Sequence, residues 1–206
     1  MRLAESNEPA HTLNDGHSNN PDMLVVELAA LFHDLFDAKY TSVSSGHNLD
    51  ISSWLRAHDI SESQNALISK IIANVSYSKE MVLRQKGEWS LWHRTCVELH
   101  CVMDADKLDA LGAFGIFRCA AFSGSRNIPL YLEKEDPMYL KSAVGHFEDK
   151  LFRLESMMMT EEGRAVAKRR TAIMRDIFER MNEEALLLDF EKEFGDEPEL
   201  QGNRVN

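Results

Sequence analysis

The apolar residues of this chain recur at helical spacing along most of its length, and no segment alternates with period two. Leu24, Leu28 and Leu31, with Val25 and Phe32, make one stripe. Leu67, Ile68, Ile71, Ile72 and Val75 make a second, and Val97, Val102, Leu108, Leu111 and Phe114 a third. Residues three or four apart share a helix face, whereas a half-buried strand needs an apolar residue at every second position. The pattern predicts an all-α fold, a bundle-like packing of helices. With 206 residues, 44 % of them hydrophobic, the chain can build one ordinary core but not two comfortable domains.

Punctuation residues divide the stripes. Asn20-Pro21-Asp22 supplies a side-chain cap, a proline for the first turn and an acid near the positive helix end, so a helix is expected from there to about Lys39. Residues 41–50 have Ser/Gly/Asn loop composition, 51–58 a short helix, and Ser61 with Ser63-Gln64 opens the next. Gly112 and Gly115 fall inside the third stripe; each costs roughly 1 kcal/mol relative to Ala, so close helix packing is their expected use. Residues 123–137 read as a polar loop, followed by helices over about 138–158 and 160–190, the second opened by Thr160, Glu161-Glu162 and Gly163. Residues 2–7 read like the end of a helix and 9–20 like a loop. The expected organisation is a helix remnant and loop over 1–20, one helical domain over 21–190, and a disordered tail over 191–206.

Charge narrows the function. Twenty-three basic residues stand against 34 acidic ones, a net charge of −11, which argues against coating nucleic acid or lying on an anionic membrane but leaves small anionic substrates open. Cys96, Cys101 and Cys119 are odd in number and lack zinc spacing, as expected of reduced thiols in a cytoplasmic protein. No stretch approaches the ~20 apolar residues of a membrane span, and the N-terminus lacks a signal pattern.

The chemistry concentrates in two segments. His33-Asp34 closes the first stripe, and Asp104-Ala105-Asp106-Lys107 lies within the third. One imidazole with carboxylates makes a mixed N/O donor set, suited to a divalent cation such as Mn, Mg, Fe, Co, Ni or Zn. Neighbours on an ideal helix point about 100° apart, so both members of the doublet reach one ion only if it sits beside the helix between them.

The segment Val-Glu-Leu-Ala-Ala-Leu-Phe-His-Asp (26–34), followed by Asp37 and Lys39, resembles the corresponding helix of the HD-domain metal-dependent phosphohydrolases. Asp-Ala-Asp-Lys-Leu-Asp-Ala-Leu-Gly-Ala-Phe-Gly-Ile-Phe-Arg (104–118) is similar to the second signature of that family's small all-α branch, which includes bacterial nucleotide pyrophosphohydrolases. So are 71–79, the loop 122–131 and His-Phe-Glu-Asp-Lys-Leu (146–151). The likeness runs from about Met23 to about Arg180; residues 80–95, with Trp89, Trp92 and His93, fit no segment of it and read as an insertion, a lid, a partner surface or a satellite core.

The resemblance implies one divalent metal on His33, Asp34 and Asp106, with Asp104 as the competing carboxylate, in a single HD-type helical domain. It implies a metal-polarised phosphoryl group and an activated water. Asp37 would orient or deprotonate that water, and Lys107 would hold a phosphate from an exposed position beside the late ligand. Tyr77, Arg126, His146, Lys150 and Arg169 are the candidate substrate contacts, Tyr77 by stacking on a base and the guanidinium groups by matching phosphate oxygens. The family's first histidine, on an earlier helix, has no match: it would lie before Met1, be replaced by His11 or His17, or be lost. The implied activity is hydrolysis of a nucleotide or other small phosphoester. The alternatives are a degenerate domain that binds a nucleotide or a protein partner without turnover, and a phosphodiesterase. Apolar residues in the insertion are compatible with a homodimer.

Overall fold

The computed structural model of the chain describes residues 20–35 and 50–194, excepting the side chains of 187–194. These residues form helices without any strand. In chain order they are α1 (Met23–Phe32), α2 (Ile51–Ala57), α3 (Glu62–Ile72), α4 (Tyr77–Gln85), α5 (Leu91–Thr95), α6 (Val97–Asp109), α7 (Gly112–Ser125), α8 (Ala143–Asp149) and α9 (Glu161–Phe194). Short 3-10 turns over Tyr139–Lys141 and Leu151–Met157 flank α8.

Capping residues set the boundaries. At α1 the cap is Asp22, whose carboxylate accepts from the backbone N–H groups of Leu24 and Val25 at 3.1 and 3.3 Å, so Pro21 precedes the cap and is not in the first turn. The helix ends at Phe32, well before the expected Lys39, which lies outside the described residues. Ser61 and Gln64 close a reciprocal capping box at α3.

Two of the expected helices are broken. The third stripe is two helices, because Gly112 takes φ +81°, a left-handed conformation that ends α6 and lets α7 leave in a new direction. A Cβ on Gly112 would also stand 3.1 Å from the Arg170 side chain, so the close approach to α9 needs glycine as well. The expected helix over 138–158 is divided into a 3-10 turn, α8 and a second 3-10 turn; Ser142 starts α8 by accepting from the Gly145 N–H at 2.9 Å.

Buried side chains gather into two clusters. The first joins Val25 and Ala29 of α1, Leu55 of α2, Ile68 and Ile71 of α3, and Leu99, Val102 and Met103 of α6. The second joins Leu111, Val144, Phe147, Leu151, Leu154, Ala167, Met174 and Phe178. Helix α6 borders both and packs on α1 and α9. In the 80–95 segment Trp89 is buried in the first cluster and Trp92 packs against it, while His93 stacks on Trp89 at 4.5 Å and is held by Ser90 and Asn74. All three cysteines are free, and burial pushes each thiol above its usual range. Among the described residues no helix is long and apolar enough to cross a membrane.

Candidate metal centre

Helix α1 turns Val25 and Ala29 into the core and ends with His33 directed at α6. The difficulty of two adjacent ligands on one helix is removed by where the helix stops. His33 is the C-cap and Asp34 lies in the turn beyond it, where the Leu35 N–H donates to the Phe32 carbonyl at 3.2 Å. His33 Nε2 faces two carboxylates, Asp34 Oδ1 at 3.4 Å and Asp106 Oδ1 at 3.6 Å. Its Nδ1 lies 2.6 Å from the Ala30 carbonyl oxygen. A carbonyl only accepts, so Nδ1 carries a proton, and Nε2 is the ring atom turned to the carboxylates.

Nε2 is buried and has no hydrogen-bond partner. An imidazole nitrogen beside two carboxylate oxygens is a mixed N/O donor set of the kind that divalent cations take. Two ligands bound to one ion at about 2.1 Å lie roughly 3.0–3.4 Å apart, and the observed separations of 3.4 and 3.6 Å are within a few tenths of that. The donor chemistry and spacing therefore fit a hard or borderline divalent ion. As they stand, no three His, Cys, Asp or Glu side chains among the described residues close on a single point; His33 is the shared member of two pairs.

Asp104 does not face His33. Only 3 % exposed, it turns to the opposite side of α6 and accepts from the Met159 N–H at 2.8 Å, the Thr160 N–H at 2.8 Å and the Thr160 hydroxyl at 2.7 Å, capping the approach to α9. Of the two carboxylates that competed for the metal, Asp106 faces His33 and Asp104 is fully engaged elsewhere.

No protein-family model matches the chain. The uncharacterized protein YpgQ of Bacillus subtilis is 31 % identical to it over 159 residues, 77 % of this chain and 71 % of that protein. This chain belongs to the YpgQ family. The crystal structure of Bacillus subtilis YpgQ in complex with ADP superposes with a TM-score of 0.62 at 30 % identity, covering 79 % of this chain and 77 % of that one. An HD-superfamily hydrolase from Bacillus thuringiensis superposes with a TM-score of 0.59 at 27 % identity, covering 80 % and 75 %. The all-helical fold of this YpgQ-family chain is thus an HD-superfamily fold, as residues 26–34 and 104–118 led us to expect.

The remaining candidate residues of this family member fall into separate places. Lys107 is 3 % exposed, not at the helix surface as expected, and pairs with Glu80 of α4 at 3.0 Å. Lys150 lies with its ammonium 4.6 Å from the centre of the half-buried Tyr77 ring, so α8 and α4 meet there. His146, one turn before Lys150, is pushed below the usual imidazole value by burial and by the Lys150 ammonium, against a smaller opposite pull from Asp149. Arg126 caps the end of α7 with its guanidinium 5.5 Å from the Phe122 ring, and Arg169 is exposed on α9. Asp37, His11 and His17 lie outside the described residues. The sequence reading missed Glu80 and Arg84. Glu80 is fully buried and bound by both Lys107 and Arg84, and a lone acid in the first turn of a helix ordinarily signals only a dipole contact.

Proposed function

We propose that this YpgQ-family chain is a metal-dependent phosphohydrolase of small phosphate esters and anhydrides, with nucleotides as the substrate class and nucleoside or deoxynucleoside triphosphates first among them. The observation that carries this is the buried, unpartnered His33 Nε2 facing Asp34 and Asp106. The HD-superfamily hydrolase neighbour supports the reaction class, and the ADP complex of the Bacillus subtilis relative supports the ligand class.

His33, Asp34 and Asp106 would hold one divalent ion, which when bound polarises a phosphoryl oxygen and acidifies a water. The Ala30 carbonyl fixes the His33 ring so that Nε2, not Nδ1, is the donor. Asp34 and Asp106 add two negative charges that offset a dication. Asp37 follows Asp34 by three residues and would take the proton of the attacking water. Tyr77 and Lys150 meet at the junction of α4 and α8, with His146 one turn before Lys150, an aromatic face beside an ammonium group, and would receive the base and phosphates. Lys107, paired with Glu80, is assigned no phosphate contact here.

The test is calorimetric titration of Mn²⁺ into metal-stripped chain, followed by a phosphate-release screen over nucleotides. One site with micromolar or better affinity, lost in Asp106→Ala, together with metal-dependent release of phosphate or pyrophosphate, is the expected result. Full activity in Asp106→Ala would sink the mechanism. A second reading, a domain that binds a nucleotide without turnover, is favoured by one observation: the three donors do not close on a single point as they stand. Metal binding without product in the same screen would select it.

A further inference from the structure

Contacts close a ring behind Asp106. Asp104 and Lys107 lie three residues apart on one side of α6, and Asp106 projects from the other. From Asp104 the path runs to the backbone N–H of Met159 at 2.8 Å. The Met159 sulfur receives Arg84 Nη2 at 3.8 Å, and the same guanidinium donates to Glu80 Oε1 through Nε at 2.9 Å. Glu80 Oε2 stands 3.0 Å from Lys107 Nζ, which returns the path to α6. Glu80 is 0 % exposed, and Asp104 and Lys107 are 3 % exposed each. Arg84 also lies 4.3 Å from the centre of the Trp89 ring, so the ring is anchored in the aromatic 80–95 segment.

We propose that the buried Glu80, acting through Lys107 and Arg84, positions Asp106 for the metal centre. This rests on the metal reading of that centre. The physical argument is rotational. A helix packed by apolar contacts alone can turn or slide by a fraction of a residue at small cost, which would move Asp106 Oδ1 away from His33. Buried polar contacts at two positions of α6 remove that freedom: the hydrogen bonds that Asp104 accepts from Met159 and Thr160, and the ion pair of Lys107 with Glu80. Glu80 is the centre of the device because it is the only acid that the described ion pairs place against Lys107, and it holds Arg84 as well. Glu80, Lys107 and Arg84 are positioning residues: none of them touches the His33–Asp34–Asp106 donors in any described contact.

The experiment compares Mn²⁺ affinity by calorimetry, and thermal unfolding, in the full chain and four variants: Lys107→Met, Arg84→Met, Asp106→Ala and Phe178→Ala. Phe178 is buried in the second cluster, remote from the ring, and its truncation measures what lost stability alone does. Lys107→Met is expected to bind Mn²⁺ about 10–100-fold more weakly, the usual effect of removing a partner behind a ligand, and Arg84→Met at least about threefold more weakly. Phe178→Ala is expected to keep its affinity while melting earlier. Lys107→Met binding Mn²⁺ as the unmodified chain does, while Asp106→Ala has lost it, would overturn the proposal. So would an equal loss of affinity in Phe178→Ala, which would make the effect one of stability. Should Lys107→Met not fold, the half-exposed Arg84 carries the same test, an unchanged affinity in Arg84→Met overturning it. Absence of Mn²⁺ binding in the unmodified chain is a different failure: it removes the metal reading, and this inference with it.

Discussion

Replacing Glu80 with Gln removes a buried negative charge at nearly constant shape, and its cost follows from what is left behind. At 3.0 Å the Lys107–Glu80 attraction is worth about 5.5 kcal/mol gross at an effective dielectric near 20. Desolvation of two buried ions offsets most of that, so the intact pair adds little net stability. Breaking it is another matter. Glu80→Gln leaves the Lys107 ammonium, 3 % exposed, without a counter-charge, at a cost of roughly 3–5 kcal/mol. Arg84, 40 % exposed, turns to water and adds little after solvent screening. Lys107→Met leaves Glu80 with Arg84 at 2.8 Å and should cost about half as much. The neutral double variant has no orphaned charge and should be more stable than the sum of the singles predicts, with a coupling of about 2 kcal/mol. Urea unfolding at neutral pH measures all four states; for a chain of this size the Glu80→Gln loss corresponds to a fall in Tm of roughly 6–20 °C. A Glu80→Gln variant within about 1 kcal/mol of the parent, or losses that simply add, would refute the reasoning.

Gly163→Ala should destabilise by about 1–3 kcal/mol, although Ala is the better helix former, because its Cβ would land against Asp104 Oδ2 and 2.7 Å from Thr160 Oγ1 and displace the cap; equilibrium unfolding gives the sign. Burial, then the Glu148 carboxylate, push the Tyr139 phenol up to about 12, so ultraviolet titration of the four tyrosines should show one that ionises only as the protein unfolds in alkali. His146 is held below the usual imidazole value of about 6.5; the unfolded chain therefore binds more protons, and stability present above about 6.5 is lost as pH falls towards the folded value. His146→Gln should flatten that slope in urea unfolding followed from neutral to mildly acidic pH.

The fold was legible where local physics decides it. Helical stripes on α1, α3 and α6 are properties of the sequence alone, and so is the Ser61/Gln64 capping box. Asp106 could be ranked over Asp104 only through the family resemblance; the fold adds a contact that the sequence does not show, since Asp104 is occupied by Met159 and Thr160, more than fifty positions away. Two expected helices were too long for a similar reason. Gly112 inside an apolar run reads as a packing site, yet whether it bends the chain depends on the left-handed turn that α9 favours through Arg170. The Glu80–Lys107 pair joins distant segments, and nothing beside Glu80 in sequence distinguishes a buried keystone from an acid at a helix start.

Electrostatics ties the candidate centre to its proposed ligand class. A chain of net charge −11 that places two carboxylates, Asp34 and Asp106, around one imidazole has built an acidic spot, which by itself does not attract phosphate. The cation nearest in sequence, Lys107, is neutralised by Glu80, so it cannot reverse the local sign. Lys150 sits on Tyr77, at the junction of α4 and α8. Under the proposed function, a nucleotide would approach His33 together with a cation that satisfies both sides, its own phosphates and the two carboxylates. On that reading the burial of Lys107, which takes a basic residue away from the substrate, would make the centre rely on a metal: Lys107 pairs with Glu80 instead of Asp106 and leaves that carboxylate to face His33.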